Sequence, residues 1–191
     1  MPALTLIAGP NGSGKSTLTR RIGFEGREHL LDPDAVARDI NPSDPSAAAI
    51  GAAREVTLRI REYLSCGTSF AVETTLSSFA SLKLMAEGRN RGYAIHLLFV
   101  ALNNPEKSIS RIRTRAERGE HFIPDVDVKR RYMCSLANLA EAIRLADIAR
   151  IYDNSGDEHR VILVARAGVV VWRTEPLPQW AEFLSILEQN K

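Results

Sequence analysis

Apolar residues fall along this chain in short runs, and between the runs they recur every three or four positions. Leu4–Ala8 is an apolar run ending on Gly9, the pattern of a buried strand, and Lys15–Ile22 reads as the helix after it. His29–Leu31 is a second, short strand. Pro42, Asp44 and Pro45 then punctuate the chain. From about Ser46 to Ser65, Ile50, Ala53, Ile60 and Leu64 repeat at helical spacing with Thr57 filling the gap, and Gly67 ends the helix. Ser69–Glu73 predicts a buried strand, Ser77–Asn90 a helix stopped by Gly92, and Ala94–Leu102 the most apolar strand. A helix follows Asn103–Pro105 to about Arg118, then a polar loop over Gly119–Asp125. A longer helix has Tyr132, Leu136, Leu139, Ile143 and Ala146 in register. Ile148–Tyr152 is the last buried strand, closed by the turn residues Asp153–Gly156. Strands separated by helices predict an α/β fold, a parallel sheet with helices on both faces. Val161–Ala165 and Val169–Arg173 bracket Gly168 as an antiparallel hairpin at the sheet edge. Pro178–Glu188 ends the pattern as a helix with Trp180, Phe183, Leu184 and Leu187 facing inward.

At 191 residues the chain is one domain's worth: a core over residues 3–155, a basic segment over about 111–131, and a C-terminal hairpin and helix over 159–189. Its composition, 45% hydrophobic and 25% charged, excludes disorder and fibrous structure. No apolar run approaches the ~18–20 residues that span a bilayer, so no membrane partner is expected. The start MPALTLIAGPNG has no basic leader, which predicts a cytoplasmic protein. Cys66 and Cys134 have no metal-ligand spacing and read as reduced thiols on buried or half-buried helix faces. A net charge of +2 does not point to nucleic acid, and no aromatic residues interleave with the basic ones, so no nucleic-acid partner is expected. The distribution of charge says more. Of 25 basic residues 20 are Arg, and six of these lie between Arg111 and Arg131, where even spacing would put about two.

The chemistry is concentrated in a few segments. Gly9–Ser16 reads GPNGSGKS and fits G-x-x-x-x-G-K-[ST], a phosphate-binding loop between a strand and a helix. Gly9, Gly12 and Gly14 let backbone N–H groups turn inward around phosphate oxygens, with Pro10, Asn11 and Ser13 completing the loop. The positive end of the next helix, with Thr17 in its first turn, faces the same ligand. Lys15 is placed to reach the β- and γ-phosphates of ATP, and the Ser16 hydroxyl to take a place on Mg²⁺. No N-K-x-D or T-K-x-D signature for guanine and no L-S-G-G-Q occurs. The most apolar strand ends in Asn103, not an acid.

Three acids remain. Glu73 closes SFAVE, where it would orient water in an ATPase, hold an acceptor hydroxyl in a kinase, or merely favour the dipole of the next helix. Asp32 and Asp34, in LDPDAVARDINP, follow the second strand. Asp32 reads as an N-cap before Pro33, while Asp34 can both sit in the first turn and take a proton from an attacking hydroxyl. Arg111, Arg113, Arg115, Arg118, Arg130 and Arg131 flank RGEHFIP. Arg111, Arg115 and Arg118 share one helical face and suit a lid over triphosphate, or a solvated surface. Asn154, in DNSG, suits the border of an adenine base or a plain turn, and His121 a lid contact or neutral surface.

Taken together, GPNGSGKST, DPD, ETTLSS, GEHFIP with RRY, and YDNS resemble the zeta-toxin-like P-loop kinases, in the compact branch of predicted ATPases or kinases, over about residues 3–155. The resemblance implies a nucleotide-kinase-like P-loop fold. It also implies transfer of phosphate from ATP with Mg²⁺ to UDP-N-acetylglucosamine, at the 3′-hydroxyl of the amino sugar. Carried over, Lys15 and Ser16 would hold ATP and Mg²⁺, and Asp34 would be the base. Glu73, with Thr74 and Thr75 beside it, would contact the sugar. Toxic members are neutralised by a small helical antitoxin, so such a partner is implied. The alternatives are a kinase of another sugar or nucleoside, and an ATPase or nucleotide-gated binding module without an acceptor.

Overall fold

The computed structural model describes residues 1–116 and 123–187; the side chains of residues 115 and 116 are outside that description. Seven strands form one sheet: β1 (Ala3–Ala8), β2 (Leu30–Leu31), β3 (Phe70–Thr74), β4 (Ala94–Ala101), β5 (Ile148–Asp153), β6 (Arg160–Arg166) and β7 (Val169–Arg173). Their order is β2-β3-β1-β4-β5-β6-β7. The first five run parallel; β6 and β7 are antiparallel additions at one edge. The chain leaves β1 on one side to build β2 and β3 and returns on the other to build β4. The carboxyl end of β1 is therefore the switch point of the sheet, where α/β folds open their ligand crevice.

The helices are α1 (Lys15–Arg21), α2 (Pro33–Ile40), α3 (Ala49–Cys66), α4 (Phe79–Asn90), α5 (Pro105–Ala116) and α6 (Asp125–Leu145). Strand alternation deals the apolar side chains to two faces. Leu4, Leu6 and Ala8 of β1 and Ile95, Leu97 and Phe99 of β4 join Val56, Met85 and Leu139 from α3, α4 and α6 in the larger core. Ile7, Leu98 and Val100 point the other way, onto Leu18 of α1. Because both faces are covered, β1 and β4 are apolar at nearly every position, and this made them the plainest strands in the sequence.

Several boundaries differ from the sequence pattern. His29 belongs to a 3₁₀ turn, Arg27–His29, so β2 is only two residues long. Helix α3 begins at Ala49, three residues late, and buries Ala52, Val56 and Leu64; Ile50, Ala53 and Thr57 are exposed. Bulk alone does not choose the buried face, since Ile50 is exposed while Ile60 packs against the same core as Val56 and Leu64. The C-terminal segment is a 3₁₀ helix, Gln179–Ile186, not an α-helix. It buries Trp180, Leu184 and Leu187 and leaves Phe183 37% exposed. Cys66 is exposed and Cys134 half-buried, both free. Among the described residues no helix is long and apolar enough to cross a membrane.

Candidate active site

Strand β1 ends at Ala8 and hands the chain to the glycine loop. Gly9 has φ +138°, and a Cβ there would run into the carbonyl oxygen of Val100 on β4. Gly14 has φ +99°, and its Cβ would meet the Asn154 amide. Both positions thus require glycine for conformation and for close approach. Gly14 is the N-cap of α1 and offers no side chain to its first turn, which also holds no acid, so the N–H groups there are left for a ligand. Lys15 lies across the loop at 7% exposure, its Nζ donating to Gly9 O at 2.8 Å and Pro10 O at 3.1 Å. Asn11 Oδ1 accepts from Arg131 at 3.4 Å, and Gly12 packs on the Ser108 backbone of α5. The Ser13 hydroxyl is buried with no hydrogen-bond partner among the described residues.

An open cleft of about 590 Å³ lies beside this loop, lined by Asn11, Gly12 and Gly14–Thr17 and by side chains from four other segments. Asp32 and Asp34 enter from α2. Asp32 caps that helix by accepting the Asp34 N–H at 2.9 Å and lies 3.8 Å from Arg38, whereas Asp34 is exposed to the cleft. Glu73 enters from the end of β3, its Oε1 3.8 Å from Lys15 Nζ. Burial pushes the Glu73 carboxyl above its ordinary range. Lys15 and a hydrogen bond from Ser16 pull it back, and Asp32 and Asp34 push it up again. Thr74 and Thr75 do not line the cleft. Their hydroxyls bond to Ser81 Oγ at 2.9 Å and Ser77 Oγ at 2.7 Å, shaping the turn into α4. That turn holds Leu76 at φ +56° with its carbonyl fixed by Asn138 at 2.9 Å.

Arg111 of α5 lines the opposite wall and donates to Asn154 O at 3.3 Å. Arg113 faces away and pairs with Asp125. Arg130 pairs with Asp127 at 2.9 Å on α6. The backbone of Arg115 is in α5, and its side chain lies outside the described residues, as do Arg118 and His121 altogether. Asn154 donates to Ser13 O at 2.7 Å. His159 stands 3.1 Å from Gly14 O and lines the cleft with Arg20 and Arg21 of α1. Sequence spacing did not single out these last three. The available signal was position: Arg20 and Arg21 end the helix that follows the glycine loop, and His159 ends the NSGDEH segment that leaves the carboxyl end of the last parallel strand.

The cleft fits a nucleoside triphosphate. It combines a glycine cradle in which a Cβ would collide, the open N-terminus of α1, a buried lysine and an arginine opposite. Among the described residues no three His, Cys, Asp or Glu side chains are grouped to hold a metal by themselves. Mg²⁺ does not need such a cage, since it is held through one or two protein oxygens, water and substrate phosphates.

Residues 1–176 match the family described as Zeta toxin. The chain belongs to the zeta-toxin family. It is a zeta-toxin-like P-loop kinase in fold and family, and hence a P-loop phosphotransferase. An uncharacterized protein of Haemophilus influenzae (strain Rd) is 35% identical over 124 residues, 65% of this zeta-toxin chain and 88% of that protein. Among solved structures, the PezAT toxin-antitoxin system of Streptococcus pneumoniae superposes with a TM-score of 0.60 at 16% identity, over 88% of this chain and 75% of that one. The AvrRxo1-ORF1:AvrRxo1-ORF2 structure with sulphate ions gives 0.71 at 14% identity, covering 99% of this chain and 64% of that one. The same pair has been solved with ATP. At these identities the likeness is one of fold.

Proposed function

We propose that this chain transfers the γ-phosphoryl group of ATP to a hydroxyl of a small molecule, UDP-N-acetylglucosamine being the leading acceptor. The observation that carries this reading is convergence. Lys15 and Ser16 of the glycine loop, Glu73 of β3 and Asp34 of α2 open on one cleft. Lys15 neutralises charge on the transferring group, and Arg111 does so from the other wall. The Ser16 hydroxyl would hold Mg²⁺, which would supply further positive charge beside the phosphates. Asp34 accepts the acceptor's hydroxyl proton as that oxygen bonds to the γ-phosphorus and the bond to the ADP oxygen breaks. Glu73 holds the acceptor. Support for ATP comes from the ATP-bound AvrRxo1 structure, and support for an antitoxin protein as partner from the PezAT system.

Phosphorus NMR of the protein with ATP, Mg²⁺ and UDP-N-acetylglucosamine tests it, against controls lacking the acceptor or carrying Lys15→Ala. A new phosphomonoester signal that requires both acceptor and Lys15 is the expected result. ADP and free phosphate at equal rates with and without acceptor would replace the kinase reading with an ATPase. Slow ADP release balanced by free phosphate, with no phosphomonoester, would overturn UDP-N-acetylglucosamine as the acceptor.

A further inference from the structure

The β5–β6 loop meets the glycine loop from the side. Two of its side chains reach successive carbonyls there: Asn154 Nδ2 donates to Ser13 O at 2.7 Å, and His159 Nε2 stands 3.1 Å from Gly14 O. The partners are 141 and 145 positions apart, so tertiary structure alone brings them together. A peptide unit is planar and trans, and its C=O and N–H point in opposite directions. Holding the Ser13 carbonyl toward Asn154 therefore turns the Gly14 N–H the other way, and holding the Gly14 carbonyl does the same for the Lys15 N–H. Gly14 O also accepts from Thr17 N and Leu18 N at 3.1 Å, so His159 adds to the start of α1. The arrangement is close: a Cβ on Gly14 would lie 3.1 Å from His159 Nε2.

We propose that Asn154 and His159 are positioning residues for nucleotide binding, which pin the Ser13 and Gly14 carbonyls and so preset the Gly14 and Lys15 amides toward phosphate. This rests on the nucleotide reading of the cleft and adds to it a part for residues that touch the loop and not the reacting atoms. A carbonyl oxygen only accepts, so His159 must carry its hydrogen on Nε2. Burial holds the imidazole below its ordinary pKa. Arg21 from α1 and Arg111 from α5 act in the same direction, and the Gly14 hydrogen bond acts against them. Asp157 lines the cleft from the same loop. His159 is thus a neutral donor at pH 7. A polyanion bound beside the loop offsets the two arginines and favours the imidazolium, so nucleotide binding takes up protons as pH falls.

Calorimetric titration of the whole chain with a non-hydrolysable ATP analogue and Mg²⁺ tests this, together with the NMR titration of the His159 ring with and without the analogue. Asn154→Ala and His159→Ala should each weaken binding about tenfold, the size of one lost hydrogen bond to a preset loop. His159→Gln, whose amide can still donate, should recover most of the affinity. Asn154→Asp sets an acceptor against an acceptor and should bind no better than Asn154→Ala. In the unaltered protein the His159 titration should move to higher pH when the analogue is added. Full-strength binding by the folded alanine variants, or a His159 titration the analogue does not move, overturns the proposal. Failure of the unaltered protein to bind the analogue withdraws the nucleotide reading, and this inference with it.

Discussion

Glu73 carries a charge that its surroundings resist, although Lys15 Nζ is 3.8 Å away. Its folded pKa lies above the ordinary carboxylate value because it is buried. A raised carboxyl contributes stability below its unfolded pKa and loses it as pH rises through the folded value. The ligand-free Glu73→Gln variant should therefore gain thermal stability over the parent as pH goes from 4 to 8, with the two melting curves converging at the acid end. A gap that shrinks with rising pH would mean that Lys15 outweighs burial. Asp34 is the opposite case, exposed and free of the capping duty that Asp32 performs. Asp34→Asn should lower the rate of phosphoryl transfer about 10²–10⁴-fold and leave ATP affinity within twofold. Retained activity, measured by acceptor-dependent ADP release, would reduce Asp34 to a first-turn acid. The glycines and the two acids of DPD were legible because local spacing dictates their geometry. Thr74 and Thr75 were not, since the side chains that take their hydroxyls, Ser81 and Ser77, belong to the next turn and helix. His159 was invisible for a different reason: its partner is 145 positions away.

At the scale of elements, the two elements that carry the acids are held unequally. Glu73 projects from a strand inside the larger core. Asp34 rides on α2, which meets α3 through a small cluster of Ala37, Ala48 and Ala52 and touches the main core only through the partly buried Val36 among the described residues. Farther along, α3 is fixed to the main core by Val56 and Leu64. An alanine methyl buries little area, about 0.8 kcal/mol per CH₂-sized group, so α2 and the start of α3 open at lower cost than the sheet. Amide hydrogen exchange should show α2 exchanging orders of magnitude faster than β1 and β4, and the second half of α3 in between. Equal protection of α2 and β4 would make the Asp34 wall a rigid one. On α3 periodicity placed Ile60 and Leu64 correctly against the core but missed the first half, where Ala52 and Val56 are buried and Ile50 is exposed. A sequence pattern ranks side chains by kind, so in the first half of the helix it follows Ile50, which the fold leaves exposed.

Over the whole molecule, the C-terminal hairpin and 3₁₀ segment look separable in sequence, beginning after a turn and beyond the strands of the parallel sheet. Their packing argues for one unit. Strand β6 pairs with β5 along its length, and Ile162, Leu163, Ala165, Val170, Ala181 and Leu184 are fully buried in the same core as β1 and β4. Trp180 also reaches the cleft's outer support: its Nε1 donates to Asp153 Oδ1 at 3.0 Å, an oxygen that Ser155 Oγ also bonds at 2.5 Å, next to Asn154. Removing everything after residue 157 would bare Ala149 and Ile151 on an unpaired edge and take those six side chains out of the core. That chain should be insoluble or lack a cooperative melt, while the full chain melts in a single transition seen alike by circular dichroism and tryptophan fluorescence. Trp180→Phe keeps an aromatic ring against Phe99 while removing the indole N–H and the volume of its second ring. It should cost about 1.5–3 kcal/mol, the range for a hydrogen bond to a charged group, since Ser155 still bonds the same carboxylate oxygen. Two resolved transitions in the full chain, or a soluble and cooperative fragment ending at 157, would show the appendage to be a domain of its own.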